Sequence, residues 1–123
     1  MSKYKYRIVK DKTWRFELLP NNSNRQCVGY SSGYSTKEAM LKGLLTFKSF
    51  MRNSNSKLDF TLETVEKTAT IRYLGTFTFS DEGERFFTKL HTHKDEVARV
   101  IKRIEEHYES DIREDLTRVT KEA

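Results

Sequence analysis

The chain is short of several things, and each shortage excludes a class of protein. One cysteine, Cys27, in 123 residues rules out an internal disulfide and any zinc site built on several thiolates. A lone thiol fits a reducing cytoplasm, which is the expected location. The one proline, Pro20, opens a dense turn signal, Pro20-Asn21-Asn22-Ser23-Asn24. No apolar run approaches the length of a membrane span, so no membrane partner is expected. The N-terminal residues alternate charge with single hydrophobes and carry no signal-peptide core, so the Asn21-Asn22-Ser23 sequon is given no role. No H-E-x-x-H or G-x-S-x-G motif occurs, and no base is matched to the single thiol. His91-x-His93 with His107 has no acidic or thiol ligand at a recognised spacing, so neither metal nor cofactor is expected. These absences point away from an enzyme.

What is present suits a folded domain. The apolar fraction is only 36%, but one Trp, six Tyr and eight Phe supply bulky core material. The length predicts a single domain over 1–123. Charge divides it. Residues 1–58 hold 12 basic and 3 acidic side chains, whereas residues 59–123 hold 11 and 15. The overall +5 therefore hides a basic half and an acidic half. A field of this kind draws anionic ligands; a basic face that docks on an acidic face of a second copy is the competing reading.

Residues 3–9 and 13–19 alternate, with Tyr4, Tyr6 and Ile8, then Trp14, Phe16 and Leu18, on the buried side. A third strand over 25–30 completes an antiparallel meander. Ser35 and Glu38 stand at capping-box spacing, and Met40, Leu44, Phe47 and Met51 mark one face of a helix to about Arg52. Gly43 suggests close helix–sheet approach. Leu58, Phe60 and Leu62 give a fourth strand. Residues 68–80 give a fifth, with Gly75 as a bulge, a bend or a break. Ser80 or Asp81 is read as the cap of a helical stretch with Phe86, Phe87 and Leu90 inward. A last helix from about 94 to 119 carries Val97, Ile101, Ile104, Tyr108, Ile112, Leu116 and Val119. It would span roughly 39 Å at 1.5 Å per residue, longer than a small sheet is wide, so its far end is expected to pack on another copy of the chain. The expected class is α+β: an antiparallel sheet of five to six strands in the order βββ-α-ββ-α with a long C-terminal helix. A basic βββα unit over 1–53 precedes an acidic ββ-α unit over 57–119. Both halves run strands then helix, but their patterns differ enough that any repeat is degenerate.

The most site-like segment is GYSSGYSTKE at 29–38. Its glycines permit close backbone approach, its hydroxyls suit phosphate oxygens, and it leads into a helix N-terminus. Arg25, Tyr30, Ser32, Tyr34, Thr36 and Lys37 are the candidate ligand contacts, with Arg99, Arg103 and Arg113 arriving from the helical side. Lys3, Lys5, Arg7 and Arg15, on the outer side of the first two strands, form an alternative nucleic-acid set that positions phosphates without reading sequence. Trp14 is assigned to the core.

The stretch TWRFELLPNNSNRQCVGYSSGYSTKEAMLKGL resembles the YegP-like module, a small bacterial family. Trp14, Arg15, Phe16 and Leu18 match its strand, and Gly33, Tyr34, Ser35, Thr36 and Lys37 match the approach to its helix. Asn22-Ser23-Asn24 stands where that module usually has an Asn-Gly turn. The resemblance covers about 13–45 and implies a βββα unit; it brings no established chemistry. The same order, with Trp14 early and Thr36-Lys37-Glu38-Ala39 at the helix start, is similar to the arm-binding domain of phage integrases, whose sheet enters the DNA major groove. In size and architecture the chain also resembles phage anti-Thoeris sponge proteins, which sequester cyclic ADP-ribose signals between subunits.

The leading expectation is a non-catalytic, oligomeric binding protein for a phosphate-bearing ligand, sharpest as a sponge for a cyclic nucleotide or cyclic ADP-ribose signal. A stand-alone DNA-binding module and a protein–protein inhibitor or adaptor are the alternatives.

Overall fold

A computed structural model describes residues 3–22, 27–53, 60–67 and 70–116. Strands β1 (Tyr4–Lys10), β2 (Trp14–Pro20) and β3 (Gly29–Ser31) are followed by helix α1 (Lys37–Asn53). Strands β4 (Phe60–Lys67), β5 (Thr70–Thr78) and β6 (Arg85–Thr88) are followed by helix α2 (Lys94–His107) and a last strand, β7 (Ile112–Asp115). They form one 7-stranded sheet in the order β4-β5-β6-β3-β2-β1-β7. All neighbours are antiparallel except β1 and β7, which are parallel. Among the described residues no helix is long and apolar enough to cross a membrane.

The chain is thus α+β, but its architecture is a duplicated βββα with an added strand. The seam lies between β3 and β6, where Gly29 faces Thr88, Tyr30 faces Phe87 and Ser31 faces Phe86. Equivalent positions on the two sides do the same work. Ser31 Oγ accepts from the Phe16 N–H at 3.1 Å and Thr88 Oγ1 from the Gly75 N–H at 2.9 Å. Beyond each third strand an isolated bridge follows, Trp14 to Tyr34 and Tyr73 to His91. The repeat is written in the sequence at the helix starts: Tyr34-Ser35-Thr36-Lys37-Glu38 recurs as His91-Thr92-His93-Lys94-Asp95.

Both helices pack on one face. Met40, Leu44, Phe47 and Met51 of α1 and Val97, Val100, Ile101 and Ile104 of α2 are buried. They close over Tyr6, Ile8, Phe16, Leu18, Phe77, Phe79 and Phe86. The rings order this core: Phe86 stacks on Phe47 at 4.3 Å and on Phe16 at 5.8 Å between centroids. The meander, α1 and its buried stripe follow the expected pattern. The cap is one residue later than the Ser35 spacing suggests, since Thr36 Oγ1 accepts from the Ala39 N–H at 3.0 Å.

Three expectations are corrected. The segment with Phe86 and Phe87 is strand β6, not helix: adjacent aromatics face opposite sides of the sheet, and pairing with both β3 and β5 overrides the helical spacing. Ser80 accordingly holds a turn, its Oγ accepting from the Glu82 and Glu84 N–H groups at 3.3 Å. The last helix ends at His107, and residues 112–115 are strand β7. Glu109, Asp111, Glu114 and Asp115 would crowd acids at a helix C-terminus, where the dipole disfavours them. Instead Glu114 lies 3.6 Å from Lys5 and 3.8 Å from Arg7, and Asp115 lies 2.6 Å from Lys37. The overlong-helix argument for oligomerisation therefore lapses. Leu58 and Val119 fall outside the described residues, and Leu62 of β4 is 43% exposed.

Gly75 is not a bulge, because the β4–β5 register runs through it unbroken. It is where α2 touches the sheet. A methyl there would come 2.9 Å from Val97 Cγ1, 3.2 Å from Thr88 Cγ2 and 3.3 Å from Ile101 Cδ1. Gly75→Ala is expected to lower stability by about 1–3 kcal/mol through overpacking. An unchanged midpoint in urea unfolding would show that α2 stands off the sheet.

Candidate functional site

The structure scatters the predicted ligand set. Arg25 lies outside the described residues. Tyr30 and Tyr34 lie on opposite faces of the sheet: Tyr30 neighbours Phe87 at 5.5 Å, whereas Tyr34 packs on Phe16 at 6.5 Å and fills the space above Gly43. Gly43 thus admits a ring rather than a strand. Thr36 is spent on the helix cap. Lys37 pairs with Asp115 at 2.6 Å and lies 5.8 Å over the half-buried Trp14 ring. Arg99 and Arg113 are exposed on α2 and β7.

The alternative nucleic-acid set is largely neutralised. Arg7 is buried and forks onto Glu17, with Nη2 at 2.7 Å and Nε at 3.0 Å. Lys5 is buried beside Glu114. Arg15 reaches Asp11 at 3.8 Å, and Lys3 is exposed.

Two clefts occupy equivalent positions in the two halves. Each sits between the loop that leads into one helix and the hairpin turn of the other half. The first, about 670 Å³, has Ser32, Tyr34, Lys42 and Thr46 facing Glu82 and Glu84. The Tyr34 hydroxyl donates to Glu84 Oε1 at 2.7 Å. Burial and that carboxylate push its pKa well up, so it remains a donor. The Arg85 N–H donates to Ser32 Oγ at 3.1 Å. The glycine–hydroxyl loop therefore opens onto two carboxylates, which repel phosphate.

The second cleft, about 490 Å³, is lined by Pro20, Asn22, Cys27, Val28, Lys89, Leu90, His91, Val100 and Arg103. Among the described residues its lining has no carboxylate. Among the described residues neither Lys89 nor Arg103 has an ion-pair partner. His91 Nδ1 is 3.9 Å from Glu96, while Nε2 is buried with no hydrogen-bond partner. The Glu96 carboxyl is held below its usual range, first by the hydrogen bond from the His93 N–H at 3.3 Å. Of the sequence candidates among the described residues, only Arg103 is here. Lys89, His91 and Cys27 were missed. The signal that finds Lys89 and His91 is the helix-start repeat, which makes Lys89 the counterpart of Ser32 and His91 that of Tyr34.

Cys27 is buried, and desolvation raises its pKa; Glu17 adds to the rise, and Lys89 and Arg7 oppose it. A raised acid pKa keeps the folded thiol neutral where the unfolded chain already forms thiolate. Its contribution to stability is full below the unfolded value of about 8.5 and is lost as pH rises above it. Unfolding free energy should fall between pH 8 and 10, and less steeply in Cys27→Ala. Native Cys27 should also react with a thiol reagent at least about tenfold more slowly than in urea. Equal rates would place the thiol at the surface.

No family model and no curated protein matches the chain. Among solved structures, the yegP protein of E. coli, described as of unknown function, matches with a TM-score of 0.79 at 13% identity over 98% of each chain. A UPF0339 protein from Shewanella oneidensis matches with a TM-score of 0.66 at 14% identity, over 93% of this chain and 92% of its own. The resemblance first read over residues 13–45 thus extends along nearly the whole chain: its fold is YegP-like.

Proposed function

We propose that the protein captures a phosphate-bearing anion, without turning it over, in the cleft of Lys89, His91 and Arg103. One observation carries this reading: two cations without ion-pair partners among the described residues converge with a buried, unpartnered imidazole nitrogen in a cavity whose described lining has no acid. Lys89 is suited to act as a point charge and Arg103 as a planar fork on phosphate oxygens. His91 can donate through Nε2. Leu90, Val28 and Val100 offer an apolar wall, and about 490 Å³ falls in the range of small-ligand sites. The burial-raised thiol of Cys27 is a poor nucleophile, which favours capture over chemistry. The sponge-like form is retained only as capture of this ligand class, since the long helix that motivated an intersubunit site ends at His107. The ion pairs of Lys5 and Arg7 compete with phosphate, so neither side chain is assigned to this ligand.

The test is calorimetric titration with inorganic phosphate, pyrophosphate and adenosine monophosphate. Arg103→Glu and Lys89→Glu should each weaken the best of these by about tenfold or more, as expected for loss of a charge-assisted hydrogen bond, with little change in melting temperature. Lys42→Glu makes the same charge change in the other cleft and should leave affinity in place. Failure of all three probes to bind, or equal affinity in Arg103→Glu, would remove the proposal.

A further inference from the structure

We propose that the helix-free face of the sheet is a platform for single-stranded nucleic acid, with Tyr30 and Phe87 as its stacking pair. This proposal does not rest on the cleft. β3 and β6 are neighbours near the middle of the sheet, and Tyr30 and Phe87 are directly paired across them. Their rings lie 5.5 Å apart at 36°, and both are half-buried. Side chains alternate along a strand, so these rings point away from the side where Phe86, Ser31 and Thr88 meet the helices. The described residues place no helix over them.

Around this pair the face is cationic. Arg15 shares the side of Glu17 on β2. It is close enough to Tyr30 to favour that phenol's ionised form, against the dominant effect of burial. Its Nε is buried without a hydrogen-bond partner, and its acidic neighbour Asp11 is 3.8 Å away and 66% exposed. Arg85 stands two residues before Phe87 on β6, at the alternation that puts both on one side, and it is exposed. Three acids of the face are engaged by neighbours on it: Glu17, opposite Tyr30, accepts from Arg7, Glu63 accepts from Thr76 Oγ1 at 2.7 Å, and Glu114 lies 3.6 Å from Lys5 and 3.8 Å from Arg7. The result is two adjacent π faces between separated positive charges.

That arrangement matches the demands of a single strand. Every base has a π face, so aromatic rings held on a rigid sheet bind bases with little regard to sequence, while arginine and lysine follow the phosphates. A duplex turns its base faces inward and offers nothing for the rings to stack on. Charge complementarity selects a polyanion, and the paired rings select one whose bases are open.

The experiment is fluorescence anisotropy with a labelled oligothymidylate, a labelled oligouridylate and a labelled duplex at low salt, combined with ultraviolet crosslinking of the wild-type complex and peptide mapping. Both single strands should bind more tightly than the duplex. Tyr30→Leu and Phe87→Leu retain apolar bulk but lose the π face, and each should weaken single-strand binding by about 5- to 150-fold, the range measured for loss of one stacked base. Crosslinks should fall in the peptides containing Tyr30 or Phe87. Equal affinity for the duplex, unchanged affinity in folded leucine variants, or crosslinks confined to other peptides would overturn the proposal; the wild-type crosslinks decide the matter should a leucine variant fail to fold.

Discussion

The seam between β3 and β6 joins the two halves, and it depends on a residue with no side chain. A Cβ on Gly29 would meet Phe86 Cζ at 2.8 Å and the Phe87 carbonyl oxygen at 2.9 Å. Because Gly29 yields that space, Phe86 lies flat over the joint and touches both Phe16 and Phe47. Phe16 belongs to the first strand set, Phe86 to the second, and Phe47 to the helix that closes over them. One ring thereby links both units into a single hydrophobic core. Dispersion and apolar burial at this point hold β3, only three residues long, between longer neighbours.

The duplication keeps its scaffold and changes its chemistry. Ser31 and Thr88 perform the same task in the two halves: each hydroxyl gives a buried strand N–H the acceptor it needs once it is cut off from water. Outside that scaffold, equivalent positions diverge. Tyr34 seals the first cleft against Gly43 and donates to Glu84; His91 stands in its place in the second, beside Val100 and Arg103. One geometry of loop, helix and opposing hairpin turn thus carries an acid-bearing cleft in one half and a cationic cleft in the other. The open sheet face diverges less, since Tyr30 and Phe87 remain aromatic across the seam.

Local order was legible where one rule acted alone. Strict alternation located β1 and β2, and the spacing of Met40, Leu44, Phe47 and Met51 located α1, because each pattern is set by burial on one side. Phe86-Phe87 and Ile112 to Leu116 misled for the same reason from opposite directions. Their apolar residues fit a helical stripe, but the first pair is divided between two faces of a sheet, and Ile112 and Leu116 remain 39% and 60% exposed. Neither fact is local: β6 needs β3 and β5, and β7 needs Lys5, Arg7 and Lys37. The candidate site was legible as a class of residues rather than as a place. A hydroxyl-rich turn before a helix was visible, but Glu82 and Glu84, which decide its charge, come from a distant hairpin.

The charge division of the sequence has a structural meaning. Lys5 and Arg7 meet Glu114, Lys37 meets Asp115, and Arg52 meets Glu109 at 2.7 Å. The basic N-terminal half is the counter-charge for the acidic C-terminal segment, which would otherwise have little reason to return to the β1 edge: among the described residues, β7 has few buried side chains of its own. Pairs so placed contribute modestly when exposed; at the buried Arg7 desolvation offsets much of the attraction, and it is the loss of one partner, which strands a buried charge, that is costly. Summing charge along the chain therefore overstates the field that an anion would meet at the N-terminal strands. Among the cations not neutralised in this way, Arg15 and Arg85 share the open face and Lys89 and Arg103 share the cleft; they come from both halves, and what groups them is the fold. Positive potential follows the residues left over once the halves have neutralised each other, and that remainder, rather than the total, is what an anionic ligand encounters.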